Sequence, residues 1–444
     1  MTRQDKLALR KVAIASSIGT TIGWYDFFIY NLASVFVFDS QFFQGGSKAL
    51  MKTLLLYGVG FVARPVGGLM CGHFGDRTSR KSMLVFTLWL TGCATFLIGL
   101  LPSYHKINIW APAILIGLRF AQGLSVGGEW AGAVILPVEH SLGYRRGYYA
   151  SWIQFGVPAG LFLSTVVFLG LVRNLPAQWG WRVPFLLSIV LVAVGVYIRR
   201  TINDSSVFIK SQTSCLAMPV RDLLKHHRKD VLLAMGAKIA ENGAFYLYTT
   251  FVLVFASKEH PLYSQGEIFA AIALAALLML PAIPLFGHLS DVFGRKPVYL
   301  AGALITGVFA FPFMRMVASG NAALMTIAVV VGLVFGWSAM YAPQASFFAE
   351  LFKTRTRYTG ASFGAQMSTI FAGGLAPFVA LWLLNHFGNW AVAVYLISMV
   401  VITGFSVMLM PETAQRSIAD EDSRENIARH DFRRNKKSKY QRAA

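Results

Sequence analysis

Twelve long apolar runs decide what this chain can become. A bilayer core takes about 20 largely apolar residues per crossing helix. Runs of that order stand near residues 12–37, 50–74, 82–101, 108–138, 147–172, 182–199, 230–256, 266–288, 297–316, 321–350, 358–384 and 389–410. Lipid offers the backbone no hydrogen-bond partner, so each run is expected as an α-helix. Of the 444 residues, 55% are hydrophobic and 14% charged, and the mean hydropathy is +0.55, a balance foreign to a soluble domain of this size. Arg3, Lys6, Arg10 and Lys11 ahead of an apolar stretch imitate a secretory signal. The run from Val12 to Val37 is too long for one, contains Asp26 and lacks a cleavage site. It is read as the first span.

The net charge of +20 does not point to nucleic acid, because the basic residues sit between apolar runs and not on a polar domain with stacking aromatics. Placing the N-terminus inside puts most of the 40 Lys and Arg in the cytoplasm, which is the orientation the positive-inside rule requires. A multi-pass protein of the cytoplasmic (inner) membrane with both termini cytoplasmic is expected. Cys71, Cys93 and Cys215 show neither disulfide nor metal spacing. There is no GxxxxGK[ST] to cradle a nucleotide, and no GxSxG, HExxH or intramembrane His cluster. An enzyme is therefore not expected, and neither is a metal or a cofactor.

Internal similarity divides the chain. GHFGDRTSRK at 72–81 returns as GHLSDVFGRK at 287–296, and VEHSLGYRRGYYAS at 138–151 returns as AELFKTRTRYTGAS at 349–362. Both repeats occur in the same order at nearly equal offsets, so the halves are expected to be duplicates related about the membrane normal. The fold class read from this is an all-α membrane protein, twelve transmembrane helices in two pseudo-symmetric six-helix bundles. The expected organisation is a cytoplasmic N-terminus (1–11), an N-terminal bundle (12–199), a polar basic linker (200–229), a C-terminal bundle (230–410) and a basic tail (411–444).

Charges within the spans are the sharpest chemical signal, since each costs about 2.5–3.5 kcal/mol on insertion scales unless paired or hydrated. The six are Asp26, Arg64, Arg119, Glu129, Lys238 and Glu241. With three of each sign, they either neutralise one another as ion pairs that fix packing or border a wet passage. Asp26 lies about 21 Å into its helix, near mid-depth, on a face with Gly19, Gly23 and Tyr30. A carboxylate that trades an Arg partner for a proton is a workable coupling device. Arg119 and Arg64 offer planar forks of donors suited to a substrate carboxylate. Lys238 and Glu241 stand at i, i+3, the spacing of a local pair. Further candidates for a cavity wall are Tyr25, Tyr30, Gln122, Trp130, Gln154, Tyr246, Trp337, Tyr341, Gln344 and Gln366.

With GWYDFFIY at 23–30, FVARPVGG at 61–68, GHFGDRTSRK, RFAQGLSVGGEW at 119–130 and RYTGAS at 357–362 in view, the chain resembles the major facilitator superfamily. Within it, the resemblance is to the metabolite:proton symporter family of shikimate, α-ketoglutarate and proline/betaine carriers, and the general pattern is nearest the shikimate type. It covers residues 10 to 412. It implies proton-coupled symport of a small organic acid by alternating access, driven by the proton gradient without a cofactor. The partners implied are the solute, protons and lipid, with the chain acting as a monomer. A zwitterion or polyol such as proline or betaine is the alternative solute, and a non-transporting receptor the alternative class. The resemblance also implies an inner gate built from Asp76, Arg77, Arg80, Asp291 and Arg295, with Glu139 and Arg146, and Glu350 and Arg357, as natural partners. Three departures stand out: Gly23 where the family places an acid, Ser79 for a loop glycine, and Val292 for a loop arginine.

Overall fold

The computed structural model describes residues 3–43, 49–75, 80–140, 145–200, 225, 227–256, 263–352 and 357–414. Most of the linker and tail expected at 200–229 and 411–444 lies outside the described residues, as do Asp76, Arg77 and the side chains of Arg80 and Glu139.

Among the described residues the chain forms twelve long helical rods. In the first half these are α1 (Arg3–Phe36), α2 (Ala49–Gly75), α3 (Arg80–Leu100), α4 (Trp110–His140), α5 (Arg146–Gln154 continued by Gly156–Asn174) and α6 (Arg182–Arg200). In the second they are α7 (Arg228–Tyr246, extended to Val254), α8 (Gln265–Phe293), α9 (Arg295–Val317), α10 (Ala322–Val331 through Ser338–Leu351), α11 (Arg357–Thr369 through Ala376–Phe387) and α12 (Asn389–Leu409). Seven of them, α3, α5 and α8–α12, are long and apolar enough by length and composition to cross a membrane, and α6 is a shorter apolar helix. The other four are the rods that carry Asp26, Arg64, Arg119 with Glu129, and Lys238 with Glu241. Large apolar side chains such as Leu304, Val308, Val401 and Phe405 stand exposed on the outside, the surface lipid requires.

Tight connections set neighbours antiparallel. Gly294 (φ +99°) alone separates α8 from α9, and Gly388 (φ +84°) alone separates α11 from α12. These are left-handed conformations that glycine adopts without steric cost. Ser264 and Glu267 cap the start of α8 reciprocally.

The duplication expected from the repeats is visible in the packing. The pairs α1–α5, α2–α4, α3–α6 and α1–α6 of the first half recur as α7–α11, α8–α10, α9–α12 and α7–α12 of the second. Across the seam, α2 packs on α11 as α5 packs on α8, so the interface itself is pseudo-symmetric. Spans 2 and 4 approach backbone to backbone. A Cβ at Gly123 would lie 2.0 Å from Gly60 O, one at Gly127 2.0 Å from Arg64 O, and one at Gly67 1.8 Å from Leu124 O. Small residues at this spacing let helices meet in lipid, where van der Waals contact drives association. The approach also brings Arg64 and Glu129 to one side of the bundle.

Candidate functional site

A cavity lies at mid-depth between the halves, lined from α1 by Thr20, Gly23 and Trp24, from α2 by Arg64, and from α4 by Glu129 and Trp130. The second half contributes Lys238, Glu241, Asn242, Phe245 and Tyr246 from α7, Trp337 and Tyr341 from α10, and Gln366 and Thr369 from α11. All three rods of the second half contain a turn of π-helix, at Leu247–Phe251, Gly332–Trp337 and Ile370–Gly374. Each turn borders the cavity or adjoins a residue that does. The extra residue of such a turn rotates the side chains that follow it and often marks a functional site.

The four cavity charges differ in their surroundings. Lys238 Nζ and Glu241 Oε2 form the local pair expected from their spacing, at 3.1 Å. Behind them Gln344 accepts from Lys238 at 2.8 Å and donates to Glu241 at 3.4 Å and to the Tyr299 hydroxyl at 3.1 Å. Trp337 Nε1 donates to the other Glu241 oxygen at 3.0 Å. Arg64 has no ion pair among the described residues. Its guanidinium lies 4.1 Å from the Phe61 ring and 4.5 Å from that of Phe27, Nη2 reaches the Tyr246 hydroxyl at 3.5 Å, and Nε bonds to nothing. The Gln366 carbonyl, also at the cavity, likewise has no hydrogen-bond partner among the described residues. Glu129 seats its carboxylate over Gly23, where a Cβ would stand 2.6 Å from Oε2.

Asp26 and Arg119 are both fully buried and neither lines the cavity. At about 100° per residue, Asp26 lies about 120° round α1 from Thr20. They belong to a second polar core inside the first half. Arg119 Nη1 donates to Gln122 at 3.1 Å, and Gln122 donates to Thr95 at 2.7 Å. The rings of Tyr30 and Phe27 hold the guanidinium at 4.0 and 4.3 Å, contacts worth about 2 kcal/mol each when desolvated. Thr95 and Ser188 stand beside Asp26, but their hydroxyls donate to Thr91 O and Gly92 O, so neither Asp26 oxygen receives a hydrogen bond among the described residues. Thr91, Ser125 and the Thr87 carbonyl continue the chain of bonds.

Of the other candidates, Trp130, Tyr246, Trp337, Tyr341 and Gln366 line the cavity, whereas Tyr25, Tyr30, Gln122, Gln154 and Gln344 stand behind it. Tyr25 bonds Pro184 O at 3.0 Å. Gln154 accepts from Trp130 and donates across the seam to Tyr341 O, both at 3.0 Å. Thr20, Trp24, Asn242 and Thr369 line the cavity without having been singled out in the sequence. Trp24 and Asn242 are chain neighbours of Gly23 and Glu241, the one signal that pointed toward them.

Both ends of the cavity are closed among the described residues. At the end expected to face the cytoplasm, Arg146 Nη1 meets Glu350 Oε1 at 3.1 Å across the seam. Asp291 accepts from the Gly147 and Tyr148 backbone N–H groups at 2.9 and 2.8 Å, an acid on the N-terminus of α5 as the helix dipole favours. Arg295 pairs with Asp291 at 2.7 Å and with Glu350 at 3.3 Å. Glu350 thus receives Arg146, Arg295 and Thr413, while Arg357 Nε donates to Phe352 O at 3.1 Å. Glu350 therefore meets Arg295 of its own half and Arg146 across the seam. At the opposite end the closure is aromatic: Phe36 and Phe168 pack on Phe269, and Asn31 Nδ2 donates to Thr250 Oγ1 at 2.9 Å. The cavity of about 30 Å³ has room for one or two water molecules and none for an organic metabolite. This is an occluded conformation.

The model of the Sugar (and other) transporter family matches residues 12–230, and that of the Major Facilitator Superfamily residues 244–440. The chain is 37% identical to the inner membrane metabolite transport protein YhjE of Escherichia coli strain K12, over 92% of this chain and 95% of that protein. It is 36% identical to the shikimate transporter of the same strain, over 93% and 98%. With the proline/betaine transporter of that strain it shares 31% identity over 93% and 86%. Among solved structures, the proton:xylose symporter XylE bound to 6-bromo-6-deoxy-D-glucose superposes with a TM-score of 0.71 at 16% identity, covering 93% of this chain and 98% of that one.

Proposed function

Because the chain belongs to the major facilitator superfamily, a family of multi-pass membrane transporters, we propose that it takes up a small organic acid by proton-coupled symport across the inner membrane. The observation that carries this reading is Arg64. It is a buried guanidinium facing the cavity, ringed by Phe27, Phe61 and Tyr246, with no carboxylate of the protein beside it among the described residues. A desolvated cation of this kind is stabilised by an anion that brings its own charge, and the fork of a guanidinium suits a carboxylate.

The rest of the wall fits a compact, partly polar carbon skeleton. Trp24, Trp130, Phe245 and Trp337 supply flat apolar faces, and Asn242, Gln366 and Thr369 supply polar groups that orient hydroxyls. Lys238, already paired with Glu241, is a second positive charge within reach of a ligand that draws it away. Alternating access then consists of breaking one closure while the other holds. The name of the shikimate transporter supports the solute class.

A zwitterionic solute is the second reading, favoured by Glu129 on the cavity wall beside Trp24 and Trp130, since a carboxylate with aromatic faces suits an ammonium group. Proteoliposomes given labelled shikimate, a dicarboxylate or betaine under an imposed pH gradient separate the two. Accumulation of the acid supports the first reading, accumulation of betaine alone replaces it with the second, and indifference to the gradient removes proton coupling.

A further inference from the structure

The unspent hydrogen bonds of the cavity wall carry the reading of its ligand one step further. Among the neutral groups of the wall, Trp130 Nε1 donates to Gln154, Trp337 Nε1 to Glu241, and the Thr369 hydroxyl to the Gln366 main-chain carbonyl. The Gln366 side chain is 4% exposed, yet its amide oxygen meets no donor among the described residues. The Thr20 hydroxyl, which reaches the cavity from α1, is buried and also without a partner among them. A buried polar group left unmatched is costly, so it is ordinarily met by the protein or by what the protein binds.

Packing sets Gln366 level with Arg64. A Cβ on Gly72 of α2 would lie 2.9 Å from Thr359 Cα of α11, and one on Gly68 would lie 3.2 Å from Ser362 Cβ. Numbers fall along α2 as they rise along α11, so the two helices run antiparallel. One turn beyond Gly68 and Ser362 come Arg64 and Gln366, ahead of the next contact, that of the Phe61 ring with Gly373. Both residues line the cavity. A ligand carboxylate on the Arg64 fork therefore has the Gln366 amide beside it, on the other half of the molecule.

An amide oxygen only accepts. A carboxylate has no proton to give it, and neither has a trimethylammonium head. A hydroxyl donates and also accepts, so it serves the amide in either orientation. Resting on the organic-acid reading, we infer that Gln366 selects hydroxy acids: the carboxylate docks on Arg64, and a hydroxyl near it on the same skeleton donates to Gln366, with Thr20 placed to meet another. Arg64 belongs to the first half and Gln366 to the second, so a hydroxy acid that bonds both joins the halves over itself. An acid without the hydroxyl strips the amide of water as the cavity closes and gives nothing in return.

The test compares acids that differ only in hydroxyls, using the purified full chain: shikimate against cyclohexenecarboxylate, lactate against propionate, malate against succinate. Dissociation constants are read from the rise in melting temperature on titration. In each pair that binds, the wild type holds the hydroxylated member about tenfold tighter or more. Gln366→Leu, of similar bulk but without the amide, weakens the hydroxy acid by that factor and leaves its unhydroxylated twin at wild-type strength. That retained binding also reports the variant as folded, and Gln366→Met asks the same question with an unbranched chain. A wild type that binds both members of a pair within about threefold, or a preference that survives in both variants, overturns the inference and leaves the organic-acid reading standing. A protein stabilised by none of these acids takes both down.

Discussion

Arg146 Nη1 and Glu350 Oε1 stand 3.1 Å apart across the seam between the two halves, with their side chains 6% and 0% exposed. The same carboxylate also receives Arg295 and the Thr413 hydroxyl, so one buried group ties α5, α9 and the residues after α12 to the seam.

Removing one partner of such a buried pair costs about 3–5 kcal/mol, because the other charge is left uncompensated. Glu350→Gln is expected to weaken the inner closure by that order. A Ser151→Cys reporter, placed where the seam meets Gly287 in a chain freed of Cys71, Cys93 and Cys215, reads it. Maleimide labelling from the inner side should accelerate at least tenfold, and an unchanged rate would show that the pair does not hold the seam.

Arg64 is expected to govern substrate affinity. Truncating one partner of a buried, hydrogen-bonded charge pair costs about 2–5 kcal/mol, so Arg64→Ala should raise the KM for an organic acid by about 30-fold or more. Arg64→Lys keeps the charge but not the fork and should fall between. A KM that stays within threefold of wild type in Arg64→Ala would place the substrate carboxylate elsewhere.

Glu412, just beyond α12, gives a pH signature. Burial alone would raise its carboxyl, but backbone N–H groups of Lys296, Ala414, Arg295 and Thr413 donate to it and hold it below the ordinary carboxylate range. With the folded value below the unfolded one, its stabilisation is complete above about pH 4.3 and fades as pH falls through the lowered value. Melting curves of wild type and Glu412→Gln should differ near neutrality, by a cap's worth of about 1 kcal/mol, and converge in acid. A gap that widens toward low pH contradicts this account.

The contact between α2 and α4 admits no side chain. Gly127→Ala would set its Cβ 2.0 Å from Arg64 O, a backbone atom that cannot swing away, and overpacking of this kind costs about 1–3 kcal/mol. A lower melting temperature in detergent and reduced recovery of folded protein are the outcomes to measure. Gly170→Ala, with nothing within 4 Å of its added carbon, is the control.

The bilayer explains which parts of this architecture were legible in the sequence. Lipid imposes apolar runs on any chain that crosses it and makes the charges within them conspicuous by their cost, and the repeated loop segments announce the duplicated packing. The rotation of each rod about its own axis was not legible. Spacing places Asp26 relative to Gly23 on α1 but not which of them looks inward, and α1 turns Thr20, Gly23 and Trp24 to the cavity instead. Arg119 was expected to meet an anion and instead lies among rings and Gln122, since an amide and aromatic faces can hold a guanidinium as well as a carboxylate can. The meeting of Arg146 with Glu350 was not legible, because sequence shows proximity along a chain and not across a seam. The seating of Glu129 over Gly23 belongs to the packing of α1 on α4, which no local pattern encodes.

The two closures are made of unlike materials, and that difference sets their temperaments. Parting the inner one wets carboxylates and guanidinium groups, whose hydration returns much of what the broken contacts gave. Parting the outer one wets the rings of Phe36, Phe168 and Phe269, for which water offers no such return. Apolar contact weakens on cooling, whereas buried charge pairs respond to acid. A cold sample should therefore unlatch first toward the outside, and an acidified one toward the inside.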